Sequence, residues 1–386
     1  MRFTILTFIL LFDLVLTAQE KVTVPVIDFG KDLPEKVLKL DEVADIKFVP
    51  LQTTDESLIK SINGVSMNSS RIIVTDKMQH QIFVFDNNGK FLNKISKRGN
   101  GPEDYQSITQ ACVDFDADRV YIWDYAVLGR IKVYSLDGKY IKQINVGNLP
   151  WPDQMYVYDK SHILIYCDPN CLSKKKVGKT PYLLVNTNTG KITPLNIPVE
   201  RPLSNRYIRY SGDGMASTIS QMDIYPLMRI GNKVVISDFS LPIVYMIDGG
   251  KLKPIAKRTK SGILTNDDRR MTALQNLSDR FMVFRSIMAK NDKLHGKIET
   301  TEPQTIIYDR KNNSIHNSDQ YSEALNRSVM IESWNNDLPQ NTAISVIPKL
   351  LLDRLHEKGK MSKELEMLYS SLDEDANDIL MIVNFK

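Results

Sequence analysis

Cysteine is scarce in this chain, with three in 386 residues, alongside five histidines and three tryptophans. A disulfide framework needs more, and a zinc site needs four ligands where only one close pair, Cys167 and Cys171, is present. The histidines (His80, His162, His295, His316, His356) share no ligand-like spacing. The pair therefore reads as structural, closing a small loop in an oxidising compartment, and Cys112 within Ala111-Cys112-Val113 reads as a core residue. No Gly-x-Ser-x-Gly elbow occurs, which removes the usual marker of a Ser-His-Asp hydrolase. Charge of one sign is missing too: 50 Lys and Arg against 46 Asp and Glu leave a net charge of +4, without the one-sided basic excess that nucleic acid requires. The local exception, Lys174-Lys175-Lys176 with Lys179, reads as a solvated loop tip.

The first apolar run, Phe3 to Leu16, is too short and too broken by Asp13 to span a membrane. Its position behind Arg2 and before Thr17-Ala18 is that of a secretory signal peptide, residues 1–18. No cysteine lies near that site for a lipid anchor. The expected product is a periplasmic or extracellular single domain, residues 19–386, and a monomer; its 42% hydrophobic and 25% charged residues are ordinary for a globular chain.

What the sequence does contain is a repeat. Phe83-Val84-Phe85 leads through Asp86-Asn87-Asn88-Gly89-Lys90 into Phe91-Leu92, and Lys132-Val133-Tyr134 leads through Asp137-Gly138-Lys139 into Tyr140-Ile141. Weaker copies surround Asn188-Thr189-Gly190-Lys191, Asp248-Gly249-Gly250-Lys251 and Asp309 to Asn313. Strands and hairpin turns at this period are the mark of a β-propeller, one blade per copy. Four blades read clearly over 62–95, 108–144, 154–195 and 227–256, and a fifth around Arg280–Arg285 and Thr305–Tyr308 carries a polar insertion, 286–303. A sixth blade is expected from Ala343–Ile347 and Ile379–Val383 joined by the N-terminal segments Val22–Phe29 and Asp45–Pro50. Between its C-terminal strands, apolar spacing over 349–372, broken by Gly359, predicts one or two short helices. The fold class is thus all-β, a six-bladed propeller closed by both chain ends with a helical insertion near the C-terminus.

Three ordered motifs carry a family resemblance: Val49-Pro50-Leu51-Gln52-Thr53 through Leu58-Ile59 before the first blade, Gly99-Asn100-Gly101-Pro102-Glu103-Asp104-Tyr105 after it, and Asp373-Glu374-Asp375-Ala376-Asn377-Asp378-Ile379-Leu380 at the end. Together they resemble bacterial exported six-bladed β-propellers with NHL-like repeats, over nearly the whole mature chain. The chain departs from that pattern at Gln52, Lys60, Glu103-Asp104 and Asp378. The resemblance implies a binding propeller of unknown ligand.

In a four-stranded antiparallel blade, the loop between the second and third strands shares a face with the connection to the next blade. That loop-rich face collects the insertions, and repeat scaffolds bind through such insertions. Candidate ligand-binding residues there are Arg98, Glu103, Asp104, Tyr105, Tyr125, Arg130, Trp151, Tyr207, Arg209 and Arg285. Aromatic and paired polar groups suit a carbohydrate, a peptide or a protein partner. Asp76, Asp124 and Asp238, which recur at one blade position, read as turn caps. The expected function is non-enzymatic binding. Its alternative is a metal-dependent lyase or hydrolase, lactonase-like, with a site at the channel mouth near Glu103, Asp104 and His80; a scaffold for membrane-associated assembly is a third reading. No cofactor is required by the sequence, although a divalent metal would serve the alternative. The acidic segment 373–378 lacks the mid-loop Gly and terminal Glu of an EF-hand and reads as a solvated turn.

Overall fold

The structure, a computed structural model, describes residues 24–29, 32–124, 129–147, 149, 151–172, 180–199, 202–210, 216–221, 224–259, 268–292, 297–331 and 335–386. Side chains of 171–172, 206–210, 216–221, 268–269, 289–292 and 297–300 fall outside that description. The expected signal peptide, residues 1–18, the lysine loop and Tyr125 lie outside the described residues.

The repeat folds into successive antiparallel blades of a propeller. The first comprises Gly64–Met67, Arg71–Asp76, Gln81–Asp86 and Phe91–Ile95; the second Ile108–Asp114, Arg119–Asp124, Arg130–Ser135 and Tyr140–Asn145. The third comprises Gln154–Asp159, His162–Tyr166, Tyr182–Asn186 and Ile192–Pro194, and the fourth Leu227–Ile230, Lys233–Ile236, Ile243–Asp248 and Lys251–Thr259. Middle strands bury both of their faces because a blade packs on either side: Ile72, Ile73 and Val74 are consecutive and all buried. One apolar cluster joins Ile73 and Val84 of the first blade to Val120, Ile122 and Tyr134 of the second. The outer strand Phe91–Ile95 has more exposed positions, as an edge should.

The hairpin glycines do more than turn the chain. Gly89 holds φ at 83°, and a β-carbon there would overlap the Pro50 carbonyl oxygen. That turn is clamped onto the segment before the first blade by Gln52 N–H donating to Gly89 O at 2.8 Å.

The later sheets are larger or smaller than the repeat. Asp268–Leu277, Phe281–Asp292, Gln304–Asp309 and Ser314–Ser322 form an antiparallel group, with Lys297–Thr300 added to the long second strand. Its inner and outer strands escaped the sequence reading because their polar residues break the alternating pattern. Thr342–Ile347 pairs with Ile379–Phe385, which pairs with Ala44–Pro50 near the N-terminus. The other N-terminal segment behaves differently from expectation. Val26–Asp28 lies parallel to Lys257–Thr259 on the outer edge of the fourth blade, and Glu35–Lys39 lies parallel to Asn317–Tyr321. Covering two open sheet edges satisfies more backbone groups than doubling one sheet would.

Lys349–Glu357 and Lys363–Tyr369 form the predicted helices. Gly359, at φ 58°, ends the first, and Ser362 caps the second by accepting from Leu365 N–H. Two of the three family-like motifs meet nearby. Asn377 accepts Ile59 N–H at 2.8 Å and donates to the carbonyls of Leu51, Gln52 and Ser57. The C-terminal motif is therefore a clasp on the segment that opens the first blade, not a free acidic turn.

The axis is not an open tube. Asp337–Leu338 runs parallel between the inner strands of the first and fourth blades, pairing Asp337 with Ser66 and Arg229, and Leu338 with Ile230. The preceding backbone passes so close that a β-carbon on Gly64 would stand 2.7 Å from Asn335 O.

Candidate functional site

The short turns between the first and second strands of successive blades surround one mouth of this closed axis. They enclose a funnel of about 930 Å³ lined by Met67–Ser69, Asp114–Ala117, Val157–Lys160, Arg229, Gly231, Asn232 and Asp337–Pro339. At its floor Asp337 accepts from the Arg229 guanidinium. Burial pushes the Asp337 carboxyl up to about 6, against the pull of Arg229. Phe115 and Tyr158, both half-buried, stand in the wall.

The rim polar groups first serve their own turns. Asn68 Oδ1 accepts Ser70 N–H and Arg71 N–H at 2.9 Å, Asp114 Oδ1 accepts Ala117 N–H at 3.0 Å, and Asp159 Oδ1 accepts Ser161 N–H at 2.8 Å. Asn68 Nδ2 and Asp114 Oδ2 remain to meet a ligand, whereas both oxygens of Asp159 also face the His162 ring, at 3.0 and 3.1 Å. Asp114, Asp116 and Asp159 outnumber Lys160, so the rim favours neutral or cationic ligands over anions. Asn68, Asp114 and Asp159 recur at the end of three consecutive inner strands, a signal present in the sequence but hidden behind the louder Gly-Lys turns.

Of the residues expected from sequence, Arg98, Glu103, Asp104, Tyr105 and Arg130 lie around the opposite mouth, on and beside one loop. Tyr105 has no exposed surface; its hydroxyl donates to His80 O at 2.7 Å, and burial pushes it up to about 12. Its ring packs edge-on against Tyr134, so it is an interblade packing residue rather than a ligand contact. Arg130 donates to buried Asp124, which also accepts Gln106 and Ser107 N–H. Arg98 is exposed and donates through Nε to Gln106 O at 3.2 Å. The Glu103 carbonyl takes the Tyr134 hydroxyl, and Asp104 Oδ2 accepts Gly101 N–H at 2.9 Å. These five therefore gather around one connection, 97–106: the side chains of Tyr105, Arg130 and Asp104 brace it, whereas Glu103 contributes its backbone carbonyl and its side chain, like that of Arg98, is exposed. Trp151 is 40% exposed, and Arg285 is buried with its guanidinium on the Met330 sulfur at 2.9 Å. Tyr207 and Arg209 lie on the strand Arg206–Tyr210, where their side chains fall outside the described residues.

The recurring carboxylates act as the turn-cap reading expects. Asp76 accepts backbone N–H from Lys60, Ser61, Met78 and Gln79. Although burial raises its pKa, the Gln79 side-chain amide, donating at 2.9 Å, and the N–H groups of Gln79, Lys60 and Ser61 outweigh that effect and hold it below the usual range. Asp238 accepts Ser240 N–H at 2.9 Å. His80 Nδ1 takes Ile108 N–H at 3.1 Å, leaving that lone pair unavailable to a metal. Among the described residues no three His, Cys, Asp or Glu side chains group closely enough to hold a metal ion.

One recessed group on that mouth escaped sequence reasoning. Burial lowers the Lys77 amine to about 8, with Asp153 partly opposing the shift. It followed the strand-ending Asp76 and looked like an ordinary loop lysine.

Among curated proteins none matches this chain. In fold it is similar to a protein of Bacteroides fragilis NCTC 9343 assigned to the exported class, at 15% identity and a TM-score of 0.66, covering 94% of this chain and 99% of that one. A member of the duf4221 family from Bacteroides vulgatus is similar at 11% identity and a TM-score of 0.48, covering 89% and 97%. No helix among the described residues is long and apolar enough to cross a membrane. The family match runs through the clasp, the blades and the funnel alike: over residues 24–384 this chain belongs to the family described as Domain of unknown function (DUF4934).

Proposed function

We propose that this protein is an exported, non-enzymatic binding propeller that takes a carbohydrate in the axial funnel. The carrying observation is the convergence at one mouth of Phe115 and Tyr158 with Asn68, Asp114, Asp159 and Asn232. Aromatic faces accept the C–H faces of a sugar ring, and fixed carboxylate and amide groups accept its hydroxyls. The acidic rim favours a neutral or amino sugar over a uronic acid or phosphate.

In this reading the four regular blades are completed by the 268–322 sheet and by the sheet of Thr342–Ile347, Ile379–Phe385 and Ala44–Pro50. Six NHL-like blades then form one domain from residue 19 onward. The closed axis suits a receptor, since a small ligand entering the funnel meets a fixed floor instead of passing through. Export follows from the signal-peptide pattern of residues 1–18. The product works in the periplasm or outside the cell.

A panel of neutral, amino and acidic oligosaccharides, titrated calorimetrically, tests this reading. Saturable binding of a neutral or amino sugar, weakened at least tenfold by Tyr158→Ala, is expected. Preference for acidic sugars, or unchanged affinity in Tyr158→Ala, would overturn the assignment.

A further inference from the structure

Between the fourth blade and the sheet that follows it lies a cleft of about 90 Å³. Side chains alternate along a strand and share a face with their cross-strand partners, so Lys233 and Val235 stand on one face of the fourth blade with Ile230 and Met246 paired opposite them. Leu277, Asp279 and Arg310 close the cleft from the next sheet. Ile230, Val235 and Leu277 are buried, whereas Lys233 and Arg310 are half-buried and Asp279 is exposed. Ser278, buried beside Leu277, has its hydroxyl engaged with Phe281 N–H at 2.9 Å and Phe281 O at 3.4 Å. The floor is therefore aliphatic, and the mouth carries both signs of charge. We propose that the cleft is a second small-molecule site, for a free α-amino acid with a short aliphatic side chain.

Charge and size decide the class. The Asp279 carboxylate is fixed from the residues that follow the axial strand, accepting Asn341 Nδ2 at 2.7 Å and Gln340 Nε2 at 2.9 Å. Those bonds, aided by the nearby charges of Arg310 and Lys233, hold it below the usual carboxylate range. Arg310 is oriented by donating to the carbonyls of Ser278 and Asp279, each at 3.4 Å. A simple carboxylate at this mouth would meet Asp279, and a simple amine would meet two cations. A zwitterion satisfies both, its carboxylate toward Lys233 and Arg310 and its ammonium toward Asp279. An apolar cavity of about 150 Å³ takes the six carbons of benzene, so one of about 90 Å³ takes about three or four. That is the side chain of valine or leucine, not of phenylalanine.

The cleft is distinct from the axial funnel and does not depend on the carbohydrate reading: Gly231 and Leu338, which line the funnel, are joined by a backbone bond of 2.8 Å between it and Ile230. Calorimetric titrations of the full chain with L-valine and L-leucine test the proposal, with isovalerate, isobutylamine and L-phenylalanine as comparisons. Saturable binding of L-valine or L-leucine is expected, at least tenfold tighter than of any comparison compound and at least tenfold weakened by Lys233→Met. Val235→Phe, which fills the cleft, should abolish it; Met246→Phe serves if the first variant does not fold. No saturable binding, a comparison compound bound as tightly as the aliphatic amino acid, unchanged affinity in Lys233→Met, or retained binding in a folded filled variant would overturn the proposal.

Discussion

The two mouths of this propeller are built from opposite materials. One is ringed by short turns whose capping side chains leave a funnel of about 930 Å³. The other carries the long connections, yet much of their polar chemistry is consumed internally: Lys132 holds the Pro102 carbonyl, Tyr134 holds Glu103, and Asp124 holds Arg130 and two backbone N–H groups. Long loops must bury and satisfy their own backbone, whereas tight turns satisfy theirs locally and leave space at the axis. Insertion length is thus a poor guide to where a ligand fits.

The largest expected difference is in stability. Asp124→Ala leaves Arg130 and the N–H groups of Gln106 and Ser107 without their acceptor, at a cost of about 3–5 kcal/mol. Asp159→Ala, on the exposed funnel rim, should cost under about 1 kcal/mol. Denaturant unfolding of both checks this, and equal losses would erase the contrast.

Acid separates the mouths by sign. Asp337 has a folded pKa raised from 3.8 to about 6, so the native state holds a proton that the unfolded chain has released between those values. Its contribution therefore falls as pH rises through that window, by about 3 kcal/mol in all. Asp76 is shifted downward; its contribution is present above the unfolded value and is lost as pH falls through the folded one. Unfolding free energies across pH 3–7 should show that Asp337→Asn removes the first dependence and leaves the second. An unchanged slope in that variant would remove the buried carboxyl from the account.

Smaller still is Tyr105→Phe, which deletes the hydroxyl bond to His80 O and should cost about 1 kcal/mol, with saccharide affinity unchanged. If binding falls while stability holds, the loop-rich mouth is the working one after all. Tyr158→Ala is the converse: a stability change within about 1 kcal/mol for a half-buried side chain, and at least a tenfold loss of saccharide affinity by calorimetry.

Much of the fold could be read because strands and turns repeat. Ile72–Val74 and Val120–Trp123 announce middle strands by composition, and Gly89 and Gly138 mark the hairpins. The axial strand could not be read: Asp337–Leu338 spans two residues, below any periodicity, and is defined by partners at Ser66 and Arg229 far away in sequence. Val26–Asp28 looked like a blade strand because pairing partner is a tertiary property. The funnel was hidden for a related reason. Its residues look like turn formers, and only the ring brings Asn68, Asp114, Asp159 and Asn232 around one opening. Conversely, Tyr105 and Arg130 looked functional because aromatic and charged loop residues resemble a binding surface until their bonds are known.

Amide hydrogen exchange with and without a saturating saccharide tests the central claim most directly. The account predicts added protection at 67–69, 114–117, 157–160 and 229–232, with the connection 97–106 unchanged. Protection confined to 97–106 and 151–153 would contradict it.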